Sequence, residues 1–373
     1  MIRLAWKNLV QDKMRLVVTM MGIVFAVALM MVQSGIYFGF TSNVSGRIDN
    51  CPADVWIMVE GAFNADTARP FPQEVAHRIE SIPGIEWAEK LTRGFAFLRM
   101  ADGGSSWAIV FGFDPDSGIG GPKEMVRGSI LDLRKPDSFI VDESTLALLK
   151  GASIGDKLEN FDKKMEIVGI CRGHKSPNTY PVLFASNKTM QKHSVRMDNS
   201  VVYVVAKIKE GVNQDQVMER LNAIRHFDVY RADDFSAMVK TYWTNKTGVG
   251  MGIAITMTLA FIVGLVIVGQ TMYSATVERL REYATLKALG ASNWAICRAI
   301  WAQAIIVGLS GYFIGMAIST TMMLGFASKV LSIKLTPLVF IVVLITTLLM
   351  CLGAALLSIF RVLKVDPATV FRS

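Results

Sequence analysis

The side chains that could do chemistry in this chain are few and scattered. Asp114/Asp116, Asp142/Glu143 and Asp233/Asp234 are close carboxylate pairs, but each sits in a polar, loop-like stretch where a solvated surface accounts for it. His77, His174, His193 and His226 have no ligand spacing, and Cys51, Cys171, Cys297 and Cys351 form no CxxC, so no structural metal site is written into the sequence. Cys51 and Cys171 share one polar segment, where oxidising surroundings would permit a bridge that no spacing pattern requires. No GxxxxGK[ST] loop is present to cradle phosphates. The Gly103-Gly104 and Gly120-Gly121 pairs lack the lysine and the strand-to-helix setting, and neither GxSxG nor HExxH occurs. The chain therefore offers no enzyme active site and no bound cofactor of its own.

A different kind of constellation lies at residues 275–292, ATVERLREYATLKALGAS. Val277, Leu280, Ala284 and Ala288 recur at helical spacing, while Glu278, Arg281 and Glu282 share another face. Gly290 supplies a stop, and Ser292 can cap the next helix. This short charged helix, placed at 275–291, is flanked by long uncharged runs, a placement suited to contact with a partner rather than to catalysis.

Those runs are the elements that must position it. Of the 373 residues 52% are hydrophobic and 19% charged, and no Asp, Glu, Lys or Arg occurs in 16–46, 247–277, 299–328 or 335–360. Each run exceeds the ~20 residues a helix needs to cross a hydrocarbon core. Transmembrane helices are expected at 16–40, 248–273, 296–326 and 337–361. The first has a basic flank like a signal peptide, but its apolar run is too long for an h-region and Phe38 to Thr41 is no small-residue cleavage site. Residues 1–15 read as an amphipathic elbow, with Ile2, Trp6, Leu9 and Val10 set against Arg3, Lys7 and Lys13.

Basic residues resist translocation, so the N-terminal flank, the 274–298 loop (Arg279, Arg281, Lys287, Arg298) and the 362–373 tail belong on the cytoplasmic side, with both termini. Lys329 and Lys334 in the 327–336 connection oppose that rule but are outnumbered. Residues 41–245 then lie outside. The net charge of +8 reflects this asymmetry and carries no nucleic-acid meaning. The expected fold is an α-helical membrane protein with four transmembrane helices and a large α+β extracytoplasmic domain inserted between helices 1 and 2. Within that domain strand, helix, strand at 54–60, 72–81 and 84–91 is echoed at 200–207, 213–224 and 227–232. Two halves at about 50–114 and 195–235 would pack together around a second lobe at about 115–190. Met20, Met21, Met30 and Met31 read as adaptable packing. Gly248/Gly252 and Gly311/Gly315 form small-xxx-small patterns that permit dimer packing.

Three segments carry a family resemblance: LAWKNLVQDKMRLVVTMMGI at 4–23, VERLREYATLKALGAS at 277–292 and RVLKVDPATVFR at 361–372. In that order, around one span, a large outer domain and three more spans, they resemble the elbow, coupling segment and tail of FtsX/MacB-type ABC transporter permeases. VFGFDPDSG at 110–118 and the long outer segment look DevC-like. The resemblance implies a bacterial inner-membrane permease, usually a homodimer, that recruits two copies of an ABC ATPase. ATP and Mg are then bound by that partner, which the start of this chain at the elbow makes a separate polypeptide. Glu278, Arg279, Arg281, Glu282 and Lys287 would contact it, with Leu286, Ala288 and Gly290 shaping the surface. ATP-driven motion would reach the outer domain to expel an amphipathic or envelope-derived substrate, with a periplasmic adaptor and outer-membrane channel as compatible partners. An FtsX-like transmitter controlling a cell-wall enzyme and a lipoprotein-releasing permease are the competing functions.

Overall fold

The computed structural model describes residues 13–364 apart from 63, 101–102, 147, 150, 161–162, 177–179, 194–198 and 327–332. Residues 1–12 of the expected 1–15 elbow, most of the tail (365–373) and part of the 327–336 connection therefore lie outside the described residues, while Lys13 to Arg15 open the first long helix. In chain order the elements are α1 (Lys13–Val44), α2 (Gly46–Asp49), β1 (Val55–Val59), β2 (Phe71–Pro72), α3 (Val75–Glu80), β3 (Ile85–Arg99), β4 (Ser105–Phe113) and β5 (Glu124–Arg127). Next come β6 (Ser138–Asp142), β7 (Lys157–Asn160), β8 (Lys163–Arg172), β9 (Val182–Ser186), α4 (Asn187–His193), β10 (Ser200–Val201), β11 (Tyr203–Ile208), α5 (Gln214–Asn222) and β12 (Phe227–Arg231). The chain continues with α6 (Ala232–Thr241), α7 (Val249–Glu278), α8 (Leu280–Ala288), α9 (Asn293–Phe326) and α10 (Pro337–Leu363). They form two compact units. One holds α1 through Gly39 with α7 to α10, and the other holds the chain from Phe40 to Gly248.

In the helical unit α1, α7, α9 and α10 are each long and apolar enough to cross a membrane. Every helix extends beyond its uncharged run, because a helix does not end where charge begins: α7 carries on to Glu278 and α9 starts at Asn293. Their facing stripes build one core around Ile23, Val27, Met30, Ile300, Met350 and Ala354. Outward, Phe25, Leu259, Val266, Phe313 and Ile345 stay exposed, the surface that acyl chains solvate and water does not.

Glycines set how closely these helices approach. A Cβ on Gly311 would meet Ile23 Cγ2 at 2.5 Å, and one on Gly315 would meet Val27 Cγ1 at 2.8 Å. The small-residue stripe of α9, expected at a dimer contact, is thus filled by α1 of the same chain. Gly248 has a positive φ of 79° and turns the chain into α7, while Gly252 has open space where a side chain would stand.

The first lobe of the α+β unit grows from the two strand-helix-strand segments, which interleave. The strand order is β12-β1-β11-β3, all antiparallel, so each half supplies a strand to the middle of the other. In β1 (VWIMV) alternate residues face opposite ways. Val55 and Ile57 join α3 and α5 residues such as Ile79, Val217 and Leu221, whereas Trp56 and Met58 face Tyr203, Val205 and Phe235. Burial on both faces explains a strand without polar residues.

The second lobe begins earlier than the expected 115. β3 runs for 15 residues: Ile85 to Leu91 pair with β11, and Thr92 to Arg99 pair with β4. From there hydrogen bonding passes β3-β4-β9-β6-β8-β7 and returns to β3, closing a small barrel around Leu98, Val110, Phe139, Val141, Ile167 and Leu183. Residues 92–113 therefore belong to the barrel. No turn marks the boundary because the strand never breaks.

Candidate functional site

The segment at 275–292 folds as the end of one helix, a sharp corner and a second helix. Residues 275–278 complete α7, and the short helix starts only at Leu280, with Arg279 out of helical geometry between them. The expected single helix from 275 is thus divided at Arg279, and Glu278, the last residue of α7, pairs with Arg15 of α1 at 2.6 Å. Tyr283 and Ala284 are buried, and Leu280 and Leu286 pack against the helical core, fixing α8 on one side.

Its C-terminus is a complete Schellman motif. Gly290, with φ 92°, donates to Lys287 O at 3.0 Å, and Ala291 donates to Leu286 O at 2.9 Å. Only a residue tolerant of the left-handed region closes this turn without strain. Ser292 Oγ then accepts from Ala295 N–H at 3.2 Å, capping α9.

Of the residues expected to meet a partner, the structure divides the set. Arg281, Glu282, Ala288 and Gly290 are exposed, whereas Arg279 and Leu286 are half-buried. Glu278 is exposed but ion-paired. Lys287 turns inward, where Nζ donates to Val362 O at 2.8 Å and to Leu363 O at 3.3 Å at the C-terminal end of α10, a favourable place for a cation. These bonds tie the end of α8 to the end of α10. Sequence reasoning passed over Leu289, 80% exposed, and Trp294, 60% exposed, which flank the Gly290 turn. The available signal was their size: a leucine and a tryptophan on either side of a four-residue turn and cap have no core to enter.

A second concave feature lies inside the α+β unit, a cavity of about 170 Å³ beneath α2. His174 lines it, with Nε2 accepting from Lys123 N–H at 2.9 Å, its own backbone N–H donating to Asp142 Oδ2 at 2.8 Å, and its ring 4.8 Å from that of Phe184. Burial, with the Arg47 and Lys123 charges adding to it and Asp142 opposing, pulls His174 down to about 4. The unfolded chain binds that proton near pH 6.5, so between about 6.5 and 4 it holds more protons than the folded chain. Stability is expected to fall as pH drops through this window by up to ~3 kcal/mol from this site and to level off below it. Melting curves of the full chain and of His174→Gln across pH 4 to 7 check this: the variant's pH slope should be shallower.

Comparison with known proteins agrees with this architecture. Residues 16–224 match the family model of the MacB-like periplasmic core domain, and residues 254–367 match the FtsX-like permease C-terminal model. An uncharacterised ABC transporter permease of Mycobacterium tuberculosis is 24% identical, covering 100% of this chain and 99% of that protein. One from Methanocaldococcus jannaschii is 20% identical, covering 85% and 82%. The macrolide export ATP-binding/permease protein MacB of Burkholderia cenocepacia is 25% identical over 85% of this chain and 49% of that protein. The crystal structure of the periplasmic region of MacB from Actinobacillus actinomycetemcomitans aligns with 52% of this chain and 95% of its own, at 13% identity and a TM-score of 0.39. One family model covers more than half of the sequence and the other most of the remainder: the chain is a membrane protein and belongs to the FtsX/MacB type of ABC transporter permease.

Proposed function

We propose that the chain is the membrane subunit of an exporter in which an ABC ATPase docks on α8 and the turn after it, and ATP-driven motion is passed to the α+β unit to expel an amphipathic or envelope-derived substrate. The observation that carries this is the form of α8: one face is anchored by Tyr283, Ala284 and Lys287, while the other presents Arg281, Glu282 and Leu289. A rigidly seated helix with an unpartnered charged and apolar face can act as a lever, since coupling requires contacts that differ between the partner's states. ATP and Mg are bound by that partner, and this chain catalyses nothing itself.

In this reading α8 and both termini are cytoplasmic and the α+β unit lies outside a bacterial inner membrane, which the basic residues Arg279, Arg281, Lys287 and Arg298 around α8 and Arg361 and Lys364 at the end of α10 support. Two permease copies with two ATPase copies complete the machine, and Gly252, with open space beside it, remains a candidate contact between copies. The α9 glycines do not, being occupied by α1.

Capture of the protein from native membranes, with mass spectrometry of what stays bound, tests the reading. The wild-type chain is expected to retain an ABC ATPase that Glu282→Lys loses, both chains being inserted equally. Recovery of no ATPase with either chain would sink it.

A further inference from the structure

The cavity in the α+β unit holds two polar groups that its own walls leave unsatisfied. Arg47 of α2 lays its guanidinium over the Phe111 ring, with Cζ 3.6 Å from the centroid, yet its buried Nη1 has no hydrogen-bond partner among the described residues. Trp56, 3% exposed, lines the same cavity, and its Nε1 is likewise buried and unpartnered. A buried donor left unmade costs ~1–3 kcal/mol, more when it is charged. Both donors belong to residues that line one cavity.

The one carboxylate lining the cavity is already engaged. Asp66 Oδ1 pairs with Arg93 Nη2 at 2.8 Å, Asp66 Oδ2 accepts from Trp243 Nε1 at 3.0 Å, and Arg93 Nη1 donates to the Asp66 backbone carbonyl at 3.0 Å. Arg93 is thereby neutralised and Arg47 is not, which leaves the cavity with a net positive charge. Burial lowers Arg47 only to about 10, so the guanidinium remains charged at neutral pH. Phe111, Tyr203 and Phe235 contribute aromatic rings to a wall that also carries polar groups such as Asn43, Asn50 and Lys175. The volume of about 170 Å³ is comparable with the ~150 Å³ of an apolar cavity that accepts benzene.

We propose that this cavity binds a small organic anion, a carboxylate or phosphate monoester carrying one aromatic ring or a short apolar group. Its oxygens accept from Arg47 Nη1 and Trp56 Nε1, and its apolar part packs among Phe111, Tyr203 and Phe235. The site lies within the chain itself, so it stands independently of the docking of an ATPase on α8.

The test is titration of the full-length chain in nanodiscs of zwitterionic lipid with phenyl phosphate and with neutral benzyl alcohol, followed by calorimetry and by tryptophan fluorescence. Wild type is expected to bind phenyl phosphate about ten-fold or more tightly than benzyl alcohol, a difference of ~1.4 kcal/mol. Arg47→Met should remove that preference and leave the benzyl alcohol affinity in place, and Arg47→Lys should restore part of it. Trp56→Phe keeps a ring but removes the N–H, and should weaken the anion alone by several-fold. The wild-type ratio of anion to neutral probe needs no variant and so survives any folding defect at Arg47. Phosphatidic acid added to the nanodisc distinguishes the two sources of this chemistry: displacement of phenyl phosphate points to a lipid headgroup, and no displacement to a free anion. Absence of saturable phenyl phosphate binding, equal affinity for the two probes, or an Arg47→Met chain that keeps the anion preference would each overturn the proposal.

Discussion

Leu289→Glu is expected to abolish the stimulation of ATP turnover by this chain, about ten-fold or more, while the protein still inserts and folds. Leu289 stands 80% exposed beside the Gly290 turn and touches no core, so its replacement costs the isolated chain little. Against a partner, burying a leucine contributes ~1.5–3 kcal/mol, and replacing it with a carboxylate turns that gain into a desolvation cost. The measurement is the ATPase rate of the reconstituted complex against that of the ATPase alone. Unchanged stimulation would show that the partner docks elsewhere. Glu278→Lys serves as the contrast, because it breaks a half-exposed pair with Arg15 that is worth ~0–1 kcal/mol and sits on α7 rather than on the presented face.

Gly311→Leu is expected to have the largest effect on folding. Its Cβ alone would stand 2.5 Å from Ile23 Cγ2, and the rest of the side chain would force α1 and α9 apart, at a cost of about 1–3 kcal/mol or more. Thermal melting of the purified chain should shift downward, and adding Ile23→Ala should recover part of the loss. Gly252→Leu, by contrast, meets nothing within 4 Å and should leave the melting temperature unchanged. A Gly311→Leu chain that melts normally but runs as a monomer where the wild type is dimeric would return these glycines to an interface between copies.

These two cases also mark how far the sequence could be read. The four long helices were legible because charge is excluded from lipid, so each leaves an uncharged run that no soluble element needs. The paired strand-helix-strand halves were legible because apolar runs and turn residues repeat in the same order in both. Tertiary pairing left no such mark. Gly311 and Gly315 have the same spacing whether Ile23 and Val27 fill them or a second copy does, and Lys287 reads as an exposed cation until α10 brings its carbonyls alongside. The length of β3 was hidden for another reason: Thr92 and Gly94 weaken its pattern at the point where it passes from one lobe to the next. Arg47 was hidden by its setting. The first charge after a span looks like a membrane flank, and only the fold places it over Phe111.

The strand order β12-β1-β11-β3 also fixes a timetable for making the protein. Both neighbours of β1 are encoded after the barrel, and at ~5–20 residues per second the roughly 140 residues between Val59 and Tyr203 take on the order of ten seconds or more to be synthesised. For that interval VWIMV, apolar on both faces, has neither of its edges paired. Each newborn chain thus passes through a stage at which a wholly apolar strand is open to any other chain, and the barrel, whose strands all lie between β1 and β11, can close while β1 still waits. Biogenesis is therefore the step at which this unit is most exposed to a shielding factor or to slow translation.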